Sequence, residues 1–208
     1  MILLKTDKMP TYNFANVIDD HLMNITHIVR GKEYLSSAPK YQRLYEAFSW
    51  EVPIYIHCPH IMKNETEKLS KRNGDASYND LIDKGYLSEA IINYIALLGW
   101  SPSSNEEFFT LDELIKNFDY KNISKSSSIF DIKKLTWMNS EYIKKMDKEK
   151  FHEITSKYYD NLPSQIDRKL LSEMLQSRIE IFTQIPEIID FLINLPDYDL
   201  SIFEHNKM

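Results

Sequence analysis

Short apolar runs separated by polar turns fill the first sixty residues. Residues 11–19 (TYNFANVID), 25–31 (ITHIVRG) and 52–59 (VPIYIHCP) are rich in β-branched and aromatic side chains, which suit a pleated, half-buried surface, and they are predicted strands. Between the second and third, SSAPKYQRLYEAFSW predicts a helix. Ser36 or Ser37 can cap it, Pro39 fits its first turn, and Tyr41, Leu44, Tyr45 and Phe48 recur at helical spacing. Strand, helix and strand in succession predict a right-handed crossover joining parallel neighbours.

From about Asp75 the pattern turns helical. YLSEAIINYIALLG (86–99) offers Ser88 as a cap, an apolar surface broad enough to be largely buried, and Gly99 as a stop. After the loop SPSSNEE, Thr110 with Glu113 three residues on is a capping-box signature opening LDELIKNF. SKSSSIF (124–130) reads as an exposed turn. Beyond Asp147 the pattern predicts a helix at FHEITSKYY, a long amphipathic helix over 164–182 and another at PEIIDFLINL.

The 208 residues hold one large domain or two small ones, with 43% hydrophobic and 27% charged positions, ordinary for a folded globular chain. No run approaches a membrane span. Cys58 is the single cysteine, which excludes an internal disulfide framework or a multi-cysteine zinc site. With no basic leader and apolar core at MILLKTDKMP, the expected compartment is the cytoplasm. The net charge of −6 argues against a nucleic-acid binder working by bulk positive charge, yet residues 116–150 carry nine lysines against five acids. That stretch is either a solvated helix face or a local phosphate-facing patch.

Lys68-Leu69-Ser70-Lys71-Arg72 followed by Asn73-Gly74 packs three cations and a hydroxyl before a flexible turn, a composition that can wrap nucleotide phosphates or simply form a surface loop. Arg30 ends an apolar run; its planar fork can clamp a substrate carboxylate or pair with an internal acid. Glu33 can accept hydrogen bonds from a ribose or an amine. Asp19, Asp20 and His21 end what reads as a strand, where neighbouring side chains diverge, which disfavours a metal site. His57, Cys58 and His60 lack a fourth zinc ligand and are assigned to packing and a turn set by Pro59. Nucleophile-elbow, Walker and dinucleotide fingerprints are absent from the 208 residues.

Five ordered blocks, PTYNFANVIDDH, ITHIVRGKEYLSSAPKYQRLYEAFSW, KLSKRNGDAS, GYLSEAIINYIALLGWSP and ISKSSSIFDIKKLTWMNSEYIK, resemble in order and spacing the second half of bacterial glutamyl-tRNA synthetases, over about residues 2–145. The resemblance implies a class I aminoacyl-tRNA synthetase. In that family, ATP and glutamate form a bound glutamyl-adenylate, and the glutamyl group then passes to the terminal ribose of tRNA-Glu. ATP enters with Mg2+ as substrate, and neither a tightly bound cofactor nor a resident metal is implied. The parent would be a monomer without membrane contact.

Carried over by position, KLSKR resembles the KMSKS loop, with Lys71 the principal phosphate cation and Lys68, Ser70 and Arg72 in support. Tyr12 and Asn16, on one face of the predicted strand, match glutamate-pocket positions. Arg30 matches the arginine on the substrate side-chain carboxylate, and Glu33 a position near the adenosine. The arginine in its VRG context resembles the glutamyl rather than the glutaminyl enzyme. A smaller homologue that glutamylates a tRNA base lacks the helices expected after residue 146.

Lys32, Tyr34 and Asn73 depart from common family residues, and nothing within the chain resembles the HIGH signature, so the 208 residues alone are expected not to aminoacylate. The implied fold class is α/β plus all-α: the C-terminal half of a Rossmann-like nucleotide-binding domain (1–75), a helical stem-contact-like domain (76–145) and the start of a helical anticodon-binding domain (146–208). A non-catalytic, tRNA-binding truncated paralogue is the alternative.

Overall fold

The computed structural model describes residues 2–70, 77–194, 199 and 201. The described chain forms two compact units, neither contiguous in sequence. Unit 1 comprises Met1–Leu69, Leu97–Asn105 and Asn117–Phe130; unit 2 comprises Ser70–Ala96, Glu106–Lys116 and Asp131–Met208. No helix among the described residues is long and apolar enough to cross a membrane.

Unit 1 is the α/β part. Helix α1 (Tyr12–Leu22) precedes strand β1 (His27–Gly31), a 3-10 turn (Lys32–Tyr34), helix α2 (Ala38–Ala47) and strand β2 (Ile54–Cys58). As the spacing predicts, β1 and β2 pair in parallel across the α2 connection, with Arg30 opposite His57. Val17, Tyr41, Leu44 and Tyr45 form the core between the helices and are joined by Phe14, Trp50 and Tyr55. Each such buried side chain contributes on the order of 2 kcal/mol.

Residues 11–19 are not a strand. Thr11 takes the N-cap position of α1 with an extended backbone, and the helix follows directly. The β-rich composition there is overridden by tertiary packing, since Asn13, Phe14, Asn16, Val17 and Asp20 are covered at helical rather than alternating intervals. Asp19, Asp20 and His21 accordingly lie in the last turns of a helix. Pro39 does occupy the first turn of α2, but Ser37, at its N-cap, makes no side-chain capping bond because its backbone is already helical (φ −96°, ψ −18°).

Strand β3 (Ile61–Met62) leads into a tight return. Asn64 Oδ1 accepts the N–H groups of Thr66 (3.0 Å) and Glu67 (2.9 Å), and the Lys63 N–H donates to the Glu67 carbonyl at 2.8 Å. The chain therefore doubles back and sets Lys68 antiparallel to Met62. Strand β4 (Ser128–Ile129) pairs in parallel with β3, so the run 124–130 is only partly a turn.

Unit 2 is helical. It contains α3 (Tyr78–Asp83), most of α4 (Ser88–Gly99) and of α5 (Leu111–Asn117), and α6 (Ile132–Lys145), α7 (Lys148–Thr155), α8 (Arg168–Gln176) and α9 (Ile185–Ile189). The Thr110–Glu113 capping box forms as its sequence predicts: the Thr110 N–H donates to Glu113 Oε2 at 2.8 Å, and the Glu113 N–H donates to Thr110 Oγ1 at 3.2 Å. Helix α4 is less enclosed than its composition suggests, with Ile92 and Ile95 exposed.

The long helix predicted over 164–182 is the nine-residue α8. Asp167 starts it by accepting the N–H groups of Lys169 and Leu170, both at 3.0 Å. It ends at Ser177; Ile179 then enters the core from non-helical backbone and Phe182 from the start of a 3-10 turn (Phe182–Gln184), beside Phe151 and Ile185. Two buried asparagines tie the unit together. Asn93 Nδ2 donates to the Glu107 carbonyl, and its Oδ1 accepts the Phe109 N–H. Asn139 Oδ1 accepts the Leu87 N–H, and its Nδ2 donates to the Glu180 carbonyl.

Candidate active site

The carboxyl ends of parallel strands are where open α/β sheets bind ligands, and Arg30 stands at that end of β1. Its guanidinium lies 5.9 Å from the ring centre of Tyr12, 5.3 Å from Tyr34 and 5.1 Å from Tyr41. Three rings from α1, the 3-10 turn and α2 thus surround one cation, which fixes its plane and strengthens it electrostatically. The Tyr41 hydroxyl is anchored in turn, donating to Asn13 Oδ1 at 2.7 Å.

Helix α1 presents Tyr12, Asn16 and Asp20 at intervals of four, hence on one face. Asp20 Oδ2 approaches Arg30 Nη2 at 3.8 Å. The internal ion pair that the sequence leaves open is therefore present, but it engages only one guanidinium nitrogen at the outer limit of contact. Burial pushes the Asp20 carboxyl above its ordinary value, with Arg30 pulling the other way. Among the described residues, Arg30 Nη1 and both amide atoms of Asn16 are buried without a hydrogen-bond partner. Unpaired buried polar atoms are costly, and here they cluster at the end of the sheet where a carboxylate and an amine would satisfy them.

Gly31 is followed by a turn in which Glu33 folds back over it; a Cβ at position 31 would overlap the Glu33 carboxylate. Glu33 Oε2 lies 3.8 Å from His60 Nδ1, and Lys68 Nζ donates to His60 Nε2 at 3.0 Å. Glu33, His60 and Lys68 thereby form a chain of polar contacts that the sequence did not suggest. Its only signal was the placement of His60 just after Pro59. Tyr34, also unassigned from sequence, has its phenol raised above the ordinary value by hydrogen bonding to Tyr12 first, then by that ring's charge.

The structure brings Tyr12, Asn16 and Arg30 together and joins Glu33 to Lys68 through His60. Tyr12 and Asn16 share a helix face rather than a strand face, and a spacing of four satisfies both. Lys71 and Arg72 lie outside the described residues; Ser70, half-buried, is the first residue of unit 2.

Residues 1–137 match the family described as tRNA synthetases class I (E and Q), catalytic domain. The chain belongs to this synthetase family. It is similar to the glutamate–tRNA ligase of Clostridium novyi, with 61% identity over 213 aligned positions covering 100% of this chain and 44% of that protein. The ligase of Clostridium acetobutylicum is 60% identical over 100% of this chain and 43% of that protein.

Among solved structures, a glutamate-tRNA synthetase from Elizabethkingia anophelis superposes with a TM-score of 0.86 and 34% identity over 97% of this chain and 45% of that one. A glutamate tRNA ligase from Elizabethkingia meningosepticum in complex with its amino acid gives the same TM-score at 33% identity, over 96% and 44% of the two chains. The chain thus spans less than half the length of these relatives. For a class I synthetase chain, the mixed α/β and helical architecture is as expected.

Proposed function

We propose that this chain is part of a glutamate–tRNA ligase, which activates glutamate with ATP and transfers it to tRNA-Glu. The observation that carries the reading is Arg30, a caged and largely buried guanidinium with one nitrogen unpaired among the described residues, as is the amide of Asn16 on the α1 face that carries Tyr12 and Asp20. Such a cation binds a side-chain carboxylate through a charge-assisted hydrogen bond, whereas a neutral amide gains far less from it. Tyr12 closes the same pocket. Glu33 accepts hydrogen bonds from the adenosine side of ATP, which enters with Mg2+ as substrate.

In the first step, a glutamate α-carboxylate oxygen bonds to the α-phosphorus of ATP as the bond to pyrophosphate breaks. Lys71, supported by Lys68, Ser70 and Arg72, stabilises the charge that builds on the leaving pyrophosphate. In the second, a hydroxyl of the terminal ribose of tRNA attacks the acyl carbon and AMP leaves.

The reading carries with it a division into a nucleotide-binding part (1–75), a stem-contact-like part (76–145) and the start of an anticodon-binding part (146–208), in a monomeric enzyme. The lysine-rich stretch 116–150 is the tRNA-facing surface. Lys133 and Lys121 within it are exposed.

The test is glutamate-dependent ATP–pyrophosphate exchange by the complete synthetase that carries this segment, with glutamine and aspartate as competitors. Exchange with glutamate that is lost in Arg30→Ala supports the reading; exchange indifferent to Arg30 contradicts it. The 208 residues alone are expected to give no exchange, and tRNA binding without exchange by the complete protein would favour a non-catalytic paralogue.

A further inference from the structure

The register of the sheet sets His57 directly beside Arg30. Partners across a strand pair share a face, and ring contacts trace that face without a break. Tyr41, under the guanidinium, stacks on Tyr55 at 6.5 Å and 9°. Tyr55 in turn stacks on His57 at 6.3 Å and 11°. The imidazole therefore sits one strand over from the arginine, at the same carboxyl end and on the side covered by α1 and α2.

Packing alone does not call for a histidine there, because a phenyl ring would stack on Tyr55 equally well. The imidazole nevertheless buries Nδ1 without a hydrogen-bond partner among the described residues. It shares that property with Arg30 Nη1 and the Asn16 amide. Side chains from β1, β2 and α1, with the Tyr45 hydroxyl on α2, each hold a buried polar atom left unsatisfied among the described residues, a concentration at one end of the sheet that fits a preformed site.

We propose that His57 is a specificity-determining residue of the amino-acid pocket, donating Nδ1–H to one oxygen of the side-chain carboxylate that Arg30 holds by the other. The proposal rests on the glutamate reading above. With Nη2 directed at Asp20, Nη1 is left without a partner among the described residues and can serve one carboxylate oxygen. The second oxygen needs its own donor, and His57 in the Nδ1–H tautomer supplies it. Two donors facing the terminal group also discriminate: a carboxylate accepts from both, whereas a glutamine amide must turn its own N–H toward one of them.

The experiment uses the complete synthetase, with KM for glutamate and for ATP read separately by pyrophosphate exchange and thermal melting followed in parallel. His57→Phe keeps the ring on Tyr55 and deletes the donor. His57→Asn places an amide nitrogen near the position of Nδ1, and His57→Gln places one near Nε2. The expected result is a KM for glutamate raised about tenfold or more in the Phe variant, with KM for ATP within about twofold of wild type. The Asn variant recovers most of the loss and the Gln variant does not. An unchanged KM for glutamate in His57→Phe, or a loss confined to ATP, overturns the proposal. If the Phe variant fails to fold, equal behaviour of the Asn and Gln variants overturns it as well. A wild-type enzyme without glutamate-dependent exchange defeats the functional reading itself, whereas an active wild type matched by His57→Phe defeats only the role of His57.

Discussion

Asp20 faces one nitrogen of Arg30 and not the other: Oδ2 lies 3.8 Å from Nη2, while Nη1 is buried without a partner among the described residues. A fork half-engaged in this way is oriented by the protein and open to a ligand. Arg30→Lys keeps the charge but loses the planar donors and the stacking among Tyr12, Tyr34 and Tyr41. In the complete synthetase, KM for glutamate is expected to rise roughly 10- to 100-fold, the equivalent of one charge-assisted hydrogen bond, with KM for ATP little changed. Steady-state exchange kinetics check this, and equal effects on both substrates would point instead to a distorted sheet end.

The Glu33–His60–Lys68 chain couples the turn after β1 to the residue that opens the KLSKR segment. His60→Leu removes both contacts while keeping a side chain of similar size. Because these contacts are partly exposed, the expected loss is modest, a rise in KM for ATP of roughly 3- to 10-fold with KM for glutamate unaffected. Pyrophosphate exchange at varied ATP concentration measures it.

What the sequence revealed and what it hid have physical explanations. The β1–α2–β2 unit was legible because Pro39 and the spacing of Tyr41, Leu44 and Tyr45 allow only a helix between two β-rich runs, and the Thr110–Glu113 box names its own helix start. Helix α1 was not legible, because Thr11, Tyr12, Val17 and Ile18 carry strand propensity while the helix is decided by what Val17 and Phe14 pack against. The extent of α8 was hidden for a related reason. Residues beyond Ser177 keep an apolar rhythm, but Ile179 and Phe182 reach the core only if the helix stops.

Within the candidate site, Arg30 was singled out by its residue type and by the family resemblance, and Tyr12 and Asn16 by the resemblance alone. Asp20 was read as a strand end, and His60 as a turn residue. Their roles depend on a helix face and on a hairpin return, neither of which a local pattern encodes.

Gly85 and Gly99 are expected to respond in opposite ways to alanine. Gly85 has φ +87°, and a Cβ there would stand 2.8 Å from the backbone nitrogens of Phe182 and Thr183. Those same residues bind the glycine turn, the Phe182 N–H donating to the Gly85 carbonyl at 3.2 Å and Thr183 Oγ1 to the Lys84 carbonyl at 2.7 Å. Gly85→Ala is expected to cost about 1–3 kcal/mol. Gly99 ends α4 with open space where a Cβ would go. Gly99→Ala is expected to be neutral or to stabilise by up to about 1 kcal/mol. Urea unfolding midpoints of the two variants decide the matter.

Tyr55 sets an alkaline limit on the stability of unit 1. Its phenol is pushed from the ordinary 10.0 up to about 12, by burial first and then by Tyr45, with Asp20 and Tyr41 adding to the rise and Arg30 opposing it. The unfolded chain therefore releases this proton before the folded one does. The contribution to stability is complete below pH 10 and is lost as pH climbs through about 12. Tyr55→Phe retains the stacking on Tyr41 and His57 and removes the ionising group. Its stability is expected to fall less steeply between pH 10 and about 12 than that of wild type, by about 1 kcal/mol over the interval once partial exposure is allowed for. Tyr45, Tyr94 and Tyr142 are raised in the same direction, so the slope is reduced rather than abolished. Chemical denaturation of both proteins across that range checks the expectation, and parallel slopes would mean that the Tyr55 hydroxyl is hydrated in the folded chain.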